Sequence, residues 1–232
     1  MPIFLDSSNI SEIKKYNQMG IVRGVTTNPT IMFKDGLTGG MDGIKKRSIE
    51  IANLVAPYPV SVEVMTNKRD EMIEQAKEFS TWADNINVKI TIHGPQGELD
   101  NLEVVHELEN KHNIRVNTTA MMSAQQCLLA ALAGATYVSI FAGRVNNMGY
   151  NCCLEIEKLR KVLDQFQLKS KIIVGSTREV LNVIEWLVAG AHIVTVTPKL
   201  VEGMIVHPYS KETVQQFLKD AENIRHMLKQ QL

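Results

Sequence analysis

Two hydrophobic patterns alternate along this chain. Short runs rich in β-branched residues fall at 3–5, 22–26, 60–64, 86–90, 115–119, 137–141, 171–174 and 193–196. Between them lie longer stretches with apolar residues at helical spacing, such as Met72, Ile73, Ala76, Phe79, Ala83 and Leu154, Ile156, Leu159, Val162, Leu163, Phe166. The first pattern predicts strands and the second predicts amphipathic helices that pack on a sheet. The second, fourth and sixth runs are apolar at most positions, as strands covered on both faces should be.

Eight strand-then-helix units, with no Pro/Gly/Ser-rich linker between them, predict one α/β domain over residues 1–232, a closed (β/α)8 TIM barrel rather than an open doubly wound sheet. No G-x-G-x-x-G follows the first run, and no G-x-x-x-x-G-K-[ST] occurs anywhere, so neither a dinucleotide nor a P-loop nucleotide site is expected. Beyond the eighth run, Val214, Phe217, Leu218, Ala221, Ile224 and Leu228 make an apolar stripe, predicting an extra C-terminal helix over 211–232. That stripe needs a partner, either the barrel wall or a neighbouring subunit.

Composition narrows the function classes. Hydrophobic residues at 44% and charged residues at 22% suit a soluble globular protein. The 25 Lys+Arg balance 25 Asp+Glu, so no global field steers the chain toward nucleic acid or an anionic membrane, and any bound anion must be held locally. No apolar run approaches the roughly 20 residues of a membrane span, and the N-terminus lacks a leader pattern, so a cytoplasmic location is expected. Cys127, Cys152 and Cys153 are an odd number without CxxC spacing, and are expected to stay reduced. The six histidines show neither HxH nor HExxH spacing, so no metal is expected.

In such a barrel the chemistry gathers where strands end. The predicted ends carry Asp6, Thr26-Thr27-Asn28, Glu63, Lys89, Asn117 with Thr119, Ser139, Ser176, and Thr195 with Thr197. Lys89, between Val88 and Ile90, interrupts an apolar strand. A buried ammonium must be paired, neutral or facing a polar cavity. One reading is a buried ion pair with Glu63 or Asp6. The other is a nucleophile, because a desolvated lysine amine can add to a ketone and form an iminium, the electron sink for breaking a C–C bond. Glu63 and Asp6 would then shuttle protons, and a hydroxyl such as Thr119 would hold a water.

These residues carry a resemblance. Phe4-Leu5-Asp6, then Gly24-Val25-Thr26-Thr27-Asn28-Pro29-Thr30, then Val88-Lys89-Ile90, then Asn117-Thr118-Thr119, then the run 134–144 from Gly134 to Arg144 resemble, in order and spacing, the transaldolase family of small-subunit type. The resemblance implies a dihydroxyacetone-transferring enzyme on an (α/β)8 barrel without metal or organic cofactor. It implies Lys89 as the Schiff-base lysine, Asp6 as the acid/base at the donor hydroxyls, and Glu63 with Thr119 as a proton relay around a catalytic water. Asn28, Asn117 and Ser139 match positions that hold the donor, with Thr26 and Phe141 beside them, and Arg144, Ser176 and Arg178 match the group that grips the terminal anion. Fructose-6-phosphate aldolases are similar but carry glutamine and tyrosine where Glu63 and Phe141 stand, so the resemblance favours transfer over aldol release. It also implies a homo-oligomer of pentamers paired into decamers.

The chain departs from the family pattern around the pocket mouth. Thr91 replaces a proline after the lysine and leads into the loop 93–97, Asn146-Asn147 replaces an acidic pair, and Thr197-Pro198-Lys199 and Ala120-Met121-Met122 are unusual. The altered surroundings of Arg144 suggest a ketose with a different terminal anion, such as 6-deoxy-6-sulfofructose in place of fructose 6-phosphate. The expected partners are therefore small ketoses and aldose phosphates or a sulfonate analogue. A phosphosugar isomerase and a non-catalytic sugar-phosphate-binding barrel are the rival readings.

Overall fold

The computed structural model describes residues 2–229. Eight parallel strands close into a barrel in sequence order: β1 (Ile3–Asp6), β2 (Val25–Thr26), β3 (Val60–Glu63), β4 (Ile86–Thr91), β5 (Val116–Met121), β6 (Tyr137–Ile140), β7 (Lys171–Val174) and β8 (Ile193–Val196), with β8 pairing back on β1. The helices are α1 (Ile10–Gln18), α2 (Pro29–Lys34), α3 (Gly40–Val55), α4 (Arg69–Ser80), α5 (Asp100–Lys111), α6 (Ala124–Leu132), α7 (Ala142–Asn147), α8 (Cys152–Gln165), α9 (Val180–Val188), α10 (Pro198–Ile205) and α11 (Pro208–Lys229). The (β/α)8 barrel and the additional C-terminal helix expected from the sequence are both present.

Alternation along each strand decides what lies where. Val62, Val88, Ile90, Val116, Val138, Ile140, Val174 and Val194 face outward into the main core against the helices. A smaller cluster of Phe4, Tyr137, Ile173 and Ile193 fills the lower interior of the barrel. Above that plug the inward positions turn polar. The strands expected to be apolar at most positions therefore alternate instead, as in β4, where Asn87 and Lys89 point inward and Ile86, Val88 and Ile90 outward.

Local differences from expectation have local causes. The second run yields only the two-residue β2, although Arg23 N–H still donates to Ile3 O at 3.0 Å. Gly24 there leaves room for the Phe4 ring, which would lie 2.6 Å from a Cβ at that position. On α8 the buried face is Cys152, Ile156, Leu159 and Leu163, and Leu154 and Phe166 point to solvent. The entry ends of β5 and β6 are stapled by Glu109, which accepts from Val116 N–H at 2.7 Å and Thr136 N–H at 2.6 Å.

The C-terminal helix begins at Pro208, earlier than expected, and none of its described residues is buried. Phe217, Leu218, Ile224 and Leu228 are all more than half exposed, so the stripe does not cover this chain's own barrel wall. The end of the expected helix, residues 230–232, lies outside the described residues, as does Met1. All three cysteines are free, and no described helix is long and apolar enough to cross a membrane.

Candidate active site

The polar strand ends converge on a cavity of about 300 Å³ at the C-terminal mouth of the barrel. Asp6, Thr26, Asn28, Lys89, Ser139, Phe141, Arg144, Ser176 and Arg178 all line it. Lys89 lies deep, 4% exposed, on the inward face of β4. Its Nζ donates to Thr27 O at 3.1 Å and stands 3.6 Å from Glu63 Oε2. Register makes this pairing inevitable, because Glu63 and Lys89 are Cα partners on adjacent parallel strands with the same facing.

The acids occupy different settings. Asp6 ends β1 and accepts from the Thr26 hydroxyl at 2.6 Å, and that hydroxyl also lies 2.6 Å from the Thr195 hydroxyl. Burial pushes the Asp6 carboxyl above the ordinary aspartate value, against the pull of Lys89 and the Thr26 hydrogen bond. Glu63 is likewise raised by burial, with Lys89 pulling it down. Both acids thus hold a proton more readily than exposed carboxylates do, which suits proton transfer.

Glu63 does not line the main cavity. It faces a neighbouring groove of about 390 Å³ with Pro29, Met65, Thr66, Asn67 and Thr91. The ridge between groove and cavity is the start of α2, where Asn28 caps the helix by accepting from Ile31 N–H at 2.8 Å. Asn117 and Thr119 also lie outside the cavity lining. Asn117 is buried beneath it, donating to Ser61 Oγ at 3.0 Å and accepting from the Ser139 hydroxyl at 2.6 Å. Thr119 is buried with a hydroxyl that has no protein partner.

The opposite wall is cationic. Arg144 on α7, Ser176 and Arg178 after β7 line the cavity, and Lys34 at the end of α2 adds a third positive charge beside Asp35, whose carboxylate accepts from Ser8 N–H at 2.7 Å. The Arg144 guanidinium lies 5.4 Å from the centroid of the Phe141 ring, which gives it a flat support. Ser176 has φ +60°, a conformation that side-chain-bearing residues rarely adopt. Its carbonyl passes so close to Gly143 that a Cβ there would stand 1.8 Å from it. Glycine at 143 is therefore what lets the β7–α9 loop lie against α7 and bring Arg178 alongside Arg144.

Four hydroxyl residues line the cavity without having been given a role from the sequence: Thr30, Thr195, Thr197 and Thr177, whose hydroxyl donates to Thr195 O at 2.8 Å. Thr195 was legible as an inward polar residue at a strand end. Thr177 had no such signal, since it lies in a loop. The replaced proline is accounted for: Thr91 donates to His93 O at 3.0 Å, and Asn101 donates to Thr91 O and Oγ1 at 3.0 and 2.9 Å. Asn146 accepts from Cys152 N–H at 3.0 Å, and Asn147 faces an adjoining outer concavity of about 800 Å³ against α8 that Arg144 also lines; neither asparagine lines the cavity that holds Lys89. Among the described residues no group of three or more His, Cys, Asp or Glu is placed to hold a metal ion.

Comparison with known proteins gives this geometry a family. The profile described as Transaldolase/Fructose-6-phosphate aldolase matches residues 3–232. The chain belongs to the transaldolase/fructose-6-phosphate aldolase family. It is 40% identical over 222 residues to a Listeria monocytogenes protein named "Probable transaldolase 2", covering 96% of each chain. It is 39% identical to a Carboxydothermus hydrogenoformans protein named "Probable transaldolase", covering 95% of this chain and 97% of that one. Among solved structures, thiamine phosphate pyrophosphorylase from Pyrococcus furiosus aligns with a TM-score of 0.59 at 12% identity, over 84% of this chain and 85% of that one, a likeness of barrel fold alone. Membership of the transaldolase/fructose-6-phosphate aldolase family makes the chain an enzyme, and the cavity at the barrel mouth is its candidate active site.

Proposed function

We propose that this enzyme transfers a dihydroxyacetone unit, through a Schiff base on Lys89, from a ketose with an anionic group at C6 to an aldose phosphate. The observation that carries the reading is the buried Lys89 amine at the cavity floor, 3.6 Å from Glu63 and facing a wall that bears Arg144 and Arg178. A ketose lying across the cavity presents its C2 carbonyl to the amine and its terminal anion to the guanidinium pair, whose fork geometry suits phosphate and sulfonate alike.

The Lys89 amine adds to C2, and a proton passes from its nitrogen to the carbonyl oxygen to give a carbinolamine. Glu63 donates a proton to the departing hydroxyl, water leaves, and the iminium forms. The Thr119 hydroxyl, unpaired by protein and on the neighbouring strand, is available to hold that water beside Glu63. Asp6 then accepts the C4 hydroxyl proton, the C3–C4 bond breaks, the aldose departs, and the bonding pair moves into the iminium to give an enamine. An acceptor aldehyde adds to C3 while Asp6 returns its proton to the new hydroxyl. Glu63 assists water in hydrolysing the new iminium, which frees Lys89.

Borohydride reduction after incubation with fructose 6-phosphate or another ketose tests the covalent step. The expected result is a donor-derived mass added to the Lys89 peptide, and no adduct with any ketose would remove the proposal. Addition of an aldose acceptor, with the product ketose followed, separates transfer from aldol release. Glu63 and Phe141, the transaldolase-like choices, favour transfer. Turnover of fructose 6-phosphate against 6-deoxy-6-sulfofructose ranks the two anions. The reading extends to assembly: the 232-residue chain is one barrel domain whose α11 stripe packs on another copy, in the pentamer or decamer the family resemblance implies. Light scattering that gives a monomer at micromolar concentration would sink that part.

A further inference from the structure

Beneath Lys89 lies a buried side chain that the mechanism above does not use. Asn87 is two residues earlier on β4 and fully buried, and neither its Nδ2 nor its Oδ1 has a protein partner. The register fixes where it points. Asp6, Thr26, Ser61 and Asn87 are successive Cα partners across β1 to β4, and Asp6 and Thr26 face the cavity, so Asn87 shares their inward face. Ser61, beside it, accepts from Asn117 at 3.0 Å, and its own proton remains available to donate.

An amide with both ends orphaned in a barrel interior is costly, and buried polar groups in folded proteins are ordinarily paired with protein or water. An apolar residue would serve a purely packing position better. We infer that Asn87 and Ser61 hold a buried water beneath Lys89, and that Asn87 is a positioning residue for the Lys89 amine through that water. The span is right: inward side chains two residues apart on a strand start about 6.6 Å apart, and one water bridges polar atoms about 5.6 Å apart. The Lys89 amine has hydrogens to spare, since it donates to Thr27 O and only approaches Glu63. The inference concerns the site assigned above and rests on Lys89 being its reactive amine.

The test reads the amine directly. Cyanate carbamoylates neutral amines, so the rate of Lys89 carbamoylation against pH, followed by peptide mass spectrometry, reports the amine without any need for turnover. Charged or titratable groups facing this region are Glu63 from β3, Asp6 from β1 and Tyr137 from β6, with Lys34 and Asp35 from the end of α2, Arg144 from α7 and Arg178 from the β7–α9 loop around the same cavity; Thr26, Thr27, Ser61, Asn117, Ser139 and Thr195 are neutral. Asn87→Leu removes the water's anchor and leaves those groups in place, so the ammonium loses an acceptor. The acidic limb should move to lower pH by about half a unit or more. Asn87→Ser keeps a polar anchor and should hold the limb near wild type. The melting temperature of Asn87→Leu should stay near wild type, because the apolar side chain replaces the amide and its water together.

A wild-type limb in Asn87→Leu overturns the inference. If Asn87→Leu does not fold, a high-resolution crystal structure of the wild type decides. An ordered water bonded to Asn87 and within hydrogen-bond reach of Lys89 supports it, and an Asn87 amide bonded directly to protein with no such water overturns it. Failure of the transaldolase reading would show separately, as no borohydride-trapped ketose on wild-type Lys89.

Discussion

Gly143→Ala is the sharpest test of how the cationic wall is built. The added Cβ would stand 1.8 Å from the Ser176 carbonyl oxygen and 3.0 Å from Arg178 Cγ. Backbone cannot swing aside as a flexible side chain can. Restoring even 3.0 Å requires the β7–α9 loop and α7 to part by about 1.2 Å. A displacement of about 1 Å in a positioning group costs on the order of 100-fold in rate, and the lost charge-assisted contact of Arg178 with an anion is about 1.5–3 kcal/mol. The expected outcome is a kcat/KM for the anionic ketose lowered by roughly 10- to 100-fold, while Lys89 still forms a borohydride-trapped adduct with uncharged dihydroxyacetone at a near wild-type rate. Steady-state kinetics with the two donors, alongside a thermal melt to show that the barrel folds, measures the split. Unchanged kinetics with the anionic donor would refute the account of the wall, and an equal loss with both donors would place the damage at the chemistry instead.

Glu63→Gln should lower kcat by about 10²- to 10⁴-fold and abolish the limb that Glu63 sets in the pH–rate profile, a limb lying above the ordinary glutamate value because burial raises this carboxyl. Ser176→Gly relieves the positive φ and should raise stability by about 1 kcal/mol in denaturant melts, while weakening binding of the anionic donor. Glu109→Ala leaves the Val116 and Thr136 N–H groups unpaired at the barrel's base and should cost about 2–4 kcal/mol. Glu109 is itself raised by burial, so its contribution is greatest below the unfolded glutamate value and is lost as pH rises through its folded value. Stability of Glu109→Gln should therefore fall less than wild type across that window.

The barrel was legible because eight β-branched runs recur with a stretch of helical spacing between them, and Lys89 stood out because a charge inside such a run has few explanations. Other features depended on three-dimensional partners. The need for glycine at 24 follows from the Phe4 ring occupying the space a Cβ would fill, which no local pattern announces. Apolar spacing on α8 admitted Leu154 and Phe166 to the core face, whereas the helix rotates them to solvent. Thr119 and Asn117 were found as polar strand residues, but that both are buried outside the cavity lining depends on the strands and loops packed around them. Glu63 was paired with Lys89 from the sequence, yet its opening into a second groove is set by where the α2 cap falls. Asn87 did carry a signal, an amide two residues before the lysine on the same strand face, and the run's overall apolarity masked it.

The detachment of α11 from its own barrel bears on the order of events in the cell. Closure of the barrel needs only β8 to meet β1, and a helix with no buried residue adds nothing to that step. The ring of strands can therefore form while the last turns of α11 are still being synthesised. Folding of the chain is then first order and independent of expression level, whereas hiding Phe217, Leu218 and Ile224 in the proposed contact between copies would be second order and would fail when copies are scarce. A diluted or newly made molecule would be a finished barrel trailing a sticky helix, open to capture by chaperones or proteases at that one end.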